Sequence, residues 1–349
     1  MKTLLPRTNA ALLFAACFVA ASLLSSCKQD PQSALGPNLP LNSPSTPAHP
    51  ALTYISSVTS HRTTYATVGV MDTDGSHATN IVTASSSSDI YSSACWSPTA
   101  SSIAWSDILG TGSYASAIKA VDVSVNSGGV PVGSNVRTIY STSNSDSMVI
   151  TGGLAWCSAS TTGEIAFIRE HFNAANWGLY ELCTISQSGG TVTVLQSYKK
   201  LRTQNGNTYV AGHYGSPTWN SDDSKIAFDR ADTNGHHTIV IASASTGVTS
   251  DSIPLSLAGV GGIEWSRSGI DKLVYNSTPN SSTPWEIYYV APATGSTPTT
   301  NSVQGTAPTW SPNNSEVMYA SSGLKKMQAF TSSSISISGT PAQVVKWKR

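Results

Sequence analysis

The chain has 349 residues, of which only 11% are charged, against about 25% in an average soluble protein. Nineteen basic and 19 acidic residues cancel, so no long-range field draws the molecule to nucleic acid or to an anionic membrane. Ser, Thr, Asn and Gly carry the surface polarity instead, which suits an exported β-rich protein, while the length leaves open whether it holds one large domain or two.

Lys2 and Arg7 open the chain with positive charge, and Ala10–Leu24 is an apolar run too short to span a bilayer as a helix. Residues 1–26 read as an export signal. The run ends in Leu24-Ser25-Ser26-Cys27, which resembles the lipobox of bacterial lipoproteins. That resemblance implies cleavage before Cys27 and acylation of its thiol and new amine, a membrane anchor worth about 0.8 kcal/mol per buried CH₂. Lys28-Gln29-Asp30 resembles the export tags of Bacteroidetes surface lipoproteins, which implies the outer membrane. Residues 27–50 then form a tether, since Pro31, Pro37, Pro40, Pro44, Pro47 and Pro50 favour extended polyproline geometry.

From residue 51 the chain repeats. A β-branched or aromatic run recurs six times, beginning at Leu52, Ile103, Ile165, Ile226, Leu273 and Val317, with starts 51, 62, 61, 47 and 44 residues apart. Five copies follow a tryptophan and a polar turn: Trp96-Ser97-Pro98, Trp156-Cys157-Ser158, Trp219-Asn220-Ser221, Trp265-Ser266-Arg267 and Trp310-Ser311-Pro312. Tryptophan, tight turn and hydrophobic strand make a hairpin, and a further alternating run follows each one. Four-stranded units at this period predict an all-β fold, a six-bladed β-propeller over residues 51–349. Trp-Ser-Pro, a gap and then Ile-Ala-Phe or its equivalent resembles the repeat of the TolB propeller and its WD-like relatives. The family's α/β domain ahead of the propeller has no counterpart here, where the proline tether stands.

One large ring per unit in a fixed register predicts that Trp96, Trp156, Trp219, Trp265, Trp310 and Trp347 fill the wedges between blades. The first run, at Leu52, lacks a preceding tryptophan, while the chain ends in Val344-Val345-Lys346-Trp347. The interval from Leu324 to Trp347 is 23 residues, close to the 25 from Trp285 to Trp310. The C-terminal strand is therefore expected to be the inner strand of blade 1, pairing with the N-terminal strand and hiding two sheet edges. The competing arrangement makes it the outer strand of blade 6.

Strand alternation also predicts which loops share a face. In blade 3 one connection holds Arg169, Glu170, His171 and Trp177, and the loop leading to Trp219 holds Arg202, Tyr209, His213 and Tyr214. These are the densest charged and aromatic positions in a chain poor in both, and binding residues concentrate on such loops. Asp72–Gly75 and Asp232–Gly235 mimic the start of a calcium loop but lack its closing glutamate, so they read as hairpin turns. His236 and His237 are adjacent, would point to opposite faces of a strand and are expected in solvent. Cys95 and Cys157, beside inner-strand tryptophans, read as small buried hydrophobes, and with Cys183 they leave an odd number of thiols that indicates no disulfide.

No Gly-x-Ser-x-Gly elbow, His-Glu-x-x-His helix or phosphate loop occurs, and only six glutamates exist, so no catalytic residue, metal or cofactor is assigned. The leading reading is a non-catalytic, monomeric envelope lipoprotein whose propeller binds a protein or glycan. A second is a metal-assisted carbohydrate-active enzyme, since some TolB-like propellers are lyases of uronic sugars, with Glu170, His171 and His213 as its kernel. A third is a purely structural lipoprotein.

Overall fold

The structure is a computed structural model that describes residues 50–60, 63–110, 115–158, 163–171, 178–199, 201–204, 207–210, 213–232, 234–255, 259–267, 269–278, 283–337 and 344–348. At 199, 201–204, 207–210, 213–214 and 344–345 it describes the backbone alone. The export signal, Cys27 and residues 28–49 of the tether lie outside these ranges.

Six antiparallel four-stranded sheets form the predicted propeller. Counted from inner to outer strand, blade 2 is Ile90–Trp96, Ser102–Ile108, Ser116–Val125 and Pro131–Thr142. Blade 3 is Met148–Trp156, Glu164–His171, Leu179–Ser186 and Thr193–Lys199. Blade 4 has an inner strand in two pieces, His213–Tyr214 and Thr218–Trp219, then Lys225–Ala231, His237–Ser243 and Thr249–Leu255. Blade 5 is Gly259–Trp265, Leu273–Thr278, Glu286–Val290 and Thr299–Gln304. Blade 6 is Thr306–Trp310, Glu316–Ala320, Leu324–Gln328 and Ser334–Ile337.

Blade 1 closes the ring as expected: Val344–Trp347 is its inner strand, ahead of Leu52–Ser60, Thr63–Met71 and Thr79–Thr83. Leu52 pairs with Trp347 and Ile55 with Val344 in antiparallel register. Lys346 on this strand places its Nζ 2.7 Å from Glu264 Oε2 on the inner strand of blade 5, and Arg267 Nη2 donates to the other oxygen at 3.0 Å. The closing strand is thus held by a ladder on one side and by a buried ion pair across the axis.

Each of the six tryptophans is the last residue of an inner strand, and all are buried. The apolar clusters they join run between neighbouring blades, as where Trp156 and Trp219 pack with Phe167 and Phe228. Inner strands of blades 2, 3, 5 and 6 carry register shifts against their second strands. A bulge bends a strand and leaves backbone groups unpaired, and hydroxyls of neighbouring blades accept from amides of the inner strands. Leu154 N donates to Ser93 Oγ at 2.8 Å, Gly153 N to Ser216 Oγ at 3.0 Å and Trp265 N to Thr218 Oγ1 at 3.0 Å. At the blade 5 bulge Gly262 has φ +56°, and a Cβ there would stand 2.8 Å from Ala307 Cα, which only glycine avoids.

The indole N–H groups divide the tryptophans into two classes. Trp156, Trp219 and Trp265 donate to Gly163 O at 3.1 Å, Ala155 O at 2.9 Å and Asp271 Oδ1 at 2.7 Å. Those of Trp96, Trp310 and Trp347 have no acceptor among the described residues. Phenylalanine preserves much of the ring volume but not the donor, so Trp219→Phe is expected to cost about 1 kcal/mol more than Trp310→Phe. Urea unfolding of the two variants measures the difference.

Candidate binding face

Strand alternation sends two sets of connections to one face of the ring, here called the upper face: those from second to third strand, and those from an outer strand to the next inner one. In blade 3 the fully buried run Ile165–Ile168 of the second strand gives way to Arg169-Glu170-His171, and the third strand supplies Tyr180 and Glu181. Arg169 Nε donates to Glu181 Oε2 at 2.5 Å and its Nη1 donates to Tyr140 Oη, on blade 2, at 3.1 Å. His171 Nε2 lies 2.8 Å from the same Glu181 oxygen. The Glu170 carboxylate accepts the Tyr180 hydroxyl at 2.7 Å, and burial together with that carboxylate pushes the phenol well above its ordinary range.

Trp177 lies outside the described residues. Arg202 stands opposite Tyr209 in a two-stranded hairpin, Leu201–Gln204 with Asn207–Val210, built into the connection from blade 3 to blade 4. His213 and Tyr214 open the inner strand of blade 4 in register with Ala231 and Arg230. Arg169, Glu170 and His171 thus end the second strand of blade 3, and His213 and Tyr214 begin the inner strand of blade 4. The fold engages Glu170 and His171 with separate partners within blade 3.

Several neighbours of these positions were missed from sequence. His237, expected in solvent beside His236, is buried, with its Nδ1 2.9 Å from Asp229 Oδ1; His236 alone is exposed. The adjacent Arg230 lies over the Tyr198 ring, 5.6 Å from its centroid. In blade 2, Lys119 Nζ donates to buried Asp107 at 2.6 Å. Burial raises that carboxyl above its usual range, and Lys119 offsets only part of the effect. Blade 1 sends its own ribbon to the upper face, where Leu52–Ser60 and Thr63–Met71 stay paired to Ser60↔Thr63, well past the end of the closing strand's ladder at Ile55. One signal was available: Asp107, Arg169 and Arg230 each stand four places after the isoleucine that opens the repeat.

Burial opposes ionisation of Glu181, but hydrogen bonds from His171 and Arg169 and their charges outweigh it and hold the carboxyl below the usual range. A depressed folded pKa contributes stability that is complete above the ordinary value and fades as pH falls through the folded one. Acid titration of parent and Glu181→Gln is therefore expected to show a stability gap constant above the ordinary glutamate value of 4.5 that shrinks below it.

The calcium-loop mimics are turns. Gly75 N donates to Asp72 O at 3.0 Å and Ser76 N to Asp74 Oδ1 at 2.8 Å, while Asp232 Oδ1 accepts the amides of Asn234 and His236. Cys95, Cys157 and Cys183 are buried, and burial pushes the Cys183 thiol up to about 12. Among the described residues no helix is long and apolar enough to cross a membrane.

No protein-family model matches the chain, and no curated protein matches its sequence. Solved structures do match in shape. TolB from Acinetobacter baumannii superposes at a TM-score of 0.59 with 17% identity over 86% of this chain, which spans 66% of that one. A puromycin-hydrolysing peptidase from Mycobacterium tuberculosis aligns at 0.45 with 11% identity, over 71% of this chain and 36% of that one. An oligogalacturonate lyase from Vibrio parahaemolyticus aligns at 0.41 with 11% identity, over 74% and 82%. At such identities the likeness is one of fold alone, and the described residues of the chain form a TolB-like six-bladed propeller.

Proposed function

We propose that this chain is an exported lipoprotein, anchored in the outer membrane through Cys27 after loss of residues 1–26, which acts as a monomer and binds a protein or glycan of the cell envelope. The tether at 27–50 holds the propeller off the membrane, and the upper face of blades 3 and 4 makes the contact. The observation that carries the reading is the concentration of charged and aromatic positions at one place on a rigid ring, on strand ends and the 201–210 hairpin. Arg169, His171 and Glu181 hold one another, a mutually satisfied set that stiffens the platform. The enzyme reading draws less support, because Glu170 and His171, two of its three kernel residues, already serve Tyr180 and Glu181.

Crosslinking in envelope preparations tests the face. The parent chain is expected to yield an adduct that the double variant Trp177→Ala, Arg202→Ala loses at unchanged melting temperature, and equal adducts from both would remove the assignment. In the same cells Cys27→Ser should move the chain from the membrane to the soluble fraction; retention in the membrane would remove the anchor.

A further inference from the structure

The opposite, lower face carries a second feature that the binding reading does not use. Turns between inner and second strands meet there around the mouth of the central channel, and blades 3 to 6 surround a cavity of about 240 Å³. Arg267 lines both this cavity and the narrower space deeper in the channel, where Glu264 and Lys346 stand. Two cations therefore share one carboxylate, leaving the throat with an excess positive charge in surroundings walled by tryptophans. Each Glu264 oxygen takes one cation, and the Arg267 Nε, fully buried, has no acceptor among the described residues. Arg267 is also fixed in place, since its backbone N–H donates to Asn314 Oδ1 on blade 6 at 2.7 Å.

We propose that the lower mouth is a binding site for a small hydroxylated carboxylate, with Arg267 as its anion anchor and Lys346 supporting the charge. The planar guanidinium of a residue that lines the cavity matches one carboxylate. Trp219 and Pro312 supply apolar wall, and Ser221 a polar group, in a space the size of one sugar ring. Two carboxylates bound the site on the blade 4 turn. Asp223 accepts the amide and hydroxyl of Ser158, at 2.7 and 2.9 Å, and Asp222 accepts from Asn220 and Ser224. Their negative charge at the rim favours a ligand with a single carboxylate over a multiply charged anion such as a phosphate ester.

Calorimetric titration of the full chain with glucuronate, and with glucose as its neutral counterpart, tests the site. Glucuronate is expected to bind, and glucose to bind more weakly by about tenfold or more, the worth of a charge-assisted hydrogen bond. Arg267→Gln should erase the preference. Ser221→Trp, at an exposed turn position away from the ion pairs, should block the mouth and abolish binding without lowering the melting temperature. Absence of binding by glucuronate, equal binding of both sugars, or parent-like binding by either variant would overturn the proposal.

Discussion

Deleting residues 343–349 is expected to leave a chain that no longer unfolds in one cooperative transition and that self-associates on concentration. The deletion removes the whole inner strand of blade 1 and unpairs the Leu52–Ile55 edge. It also takes away Trp347, whose burial alone is worth about 4–6 kcal/mol as an upper bound, at roughly 25 cal/mol per Å² over 150–250 Å². Glu264 loses the Lys346 ammonium at the same time. Against a typical domain stability of about 5–15 kcal/mol, such losses exhaust the margin, and the exposed edges of blade 1 become templates for pairing with other chains. Calorimetry and size-exclusion chromatography of parent and truncated chain decide the matter: a truncated protein with the parent's melting temperature and elution volume would mean that the ring is not held at this seam.

Glu264→Ala is expected to destabilise the fold by about 3 kcal/mol, toward the lower end for breaking a buried ion pair because Arg267 and Lys346 keep some contact with water. Burial opposes the charge on Glu264, and the attraction of Lys346 and Arg267 prevails, so its carboxyl sits below the usual range. Removing it leaves both cations in the channel wall without their acceptor. Glu264→Gln, which keeps the shape and one acceptor, should cost less. Lys346→Ala combined with Glu264→Ala should cost less than the sum of the two, because each single change already breaks the same contact. Urea denaturation of the four chains measures this coupling, and strictly additive costs would show that the pair does not act as a unit.

The tryptophan register made the six units, their strand polarity and the closure of blade 1 legible before any coordinates. Each ring occupies the same structural position, so the repeat survives even where loops lengthen the period. Other features left no such trace. Asp229 and Arg169 interrupt otherwise apolar strands, and their partners His237 and Glu181 lie on the next strand, so sequence neighbours say nothing of the pairing. Glu264 carries no sequence signal of its role, because its partner Lys346 lies 82 residues further along the chain. The break in the blade 4 inner strand between Tyr214 and Thr218 was masked by a tryptophan still in register. The 201–210 hairpin read only as a loop rich in charge, since four-residue strands are too short for alternation to be told from chance.

The seam in blade 1 has a consequence for how the molecule is made. Leu52 is among the first residues of the domain to leave the ribosome, and its inner partner, Trp347, is among the last. Middle blades can pair locally as they emerge, but the first one waits for residues 344–347. Loop-closure entropy grows only slowly with length, so joining two such distant ends adds little to the thermodynamic cost; the burden falls on the search, which makes it the slow event. Until that strand arrives the chain stays an incomplete arc.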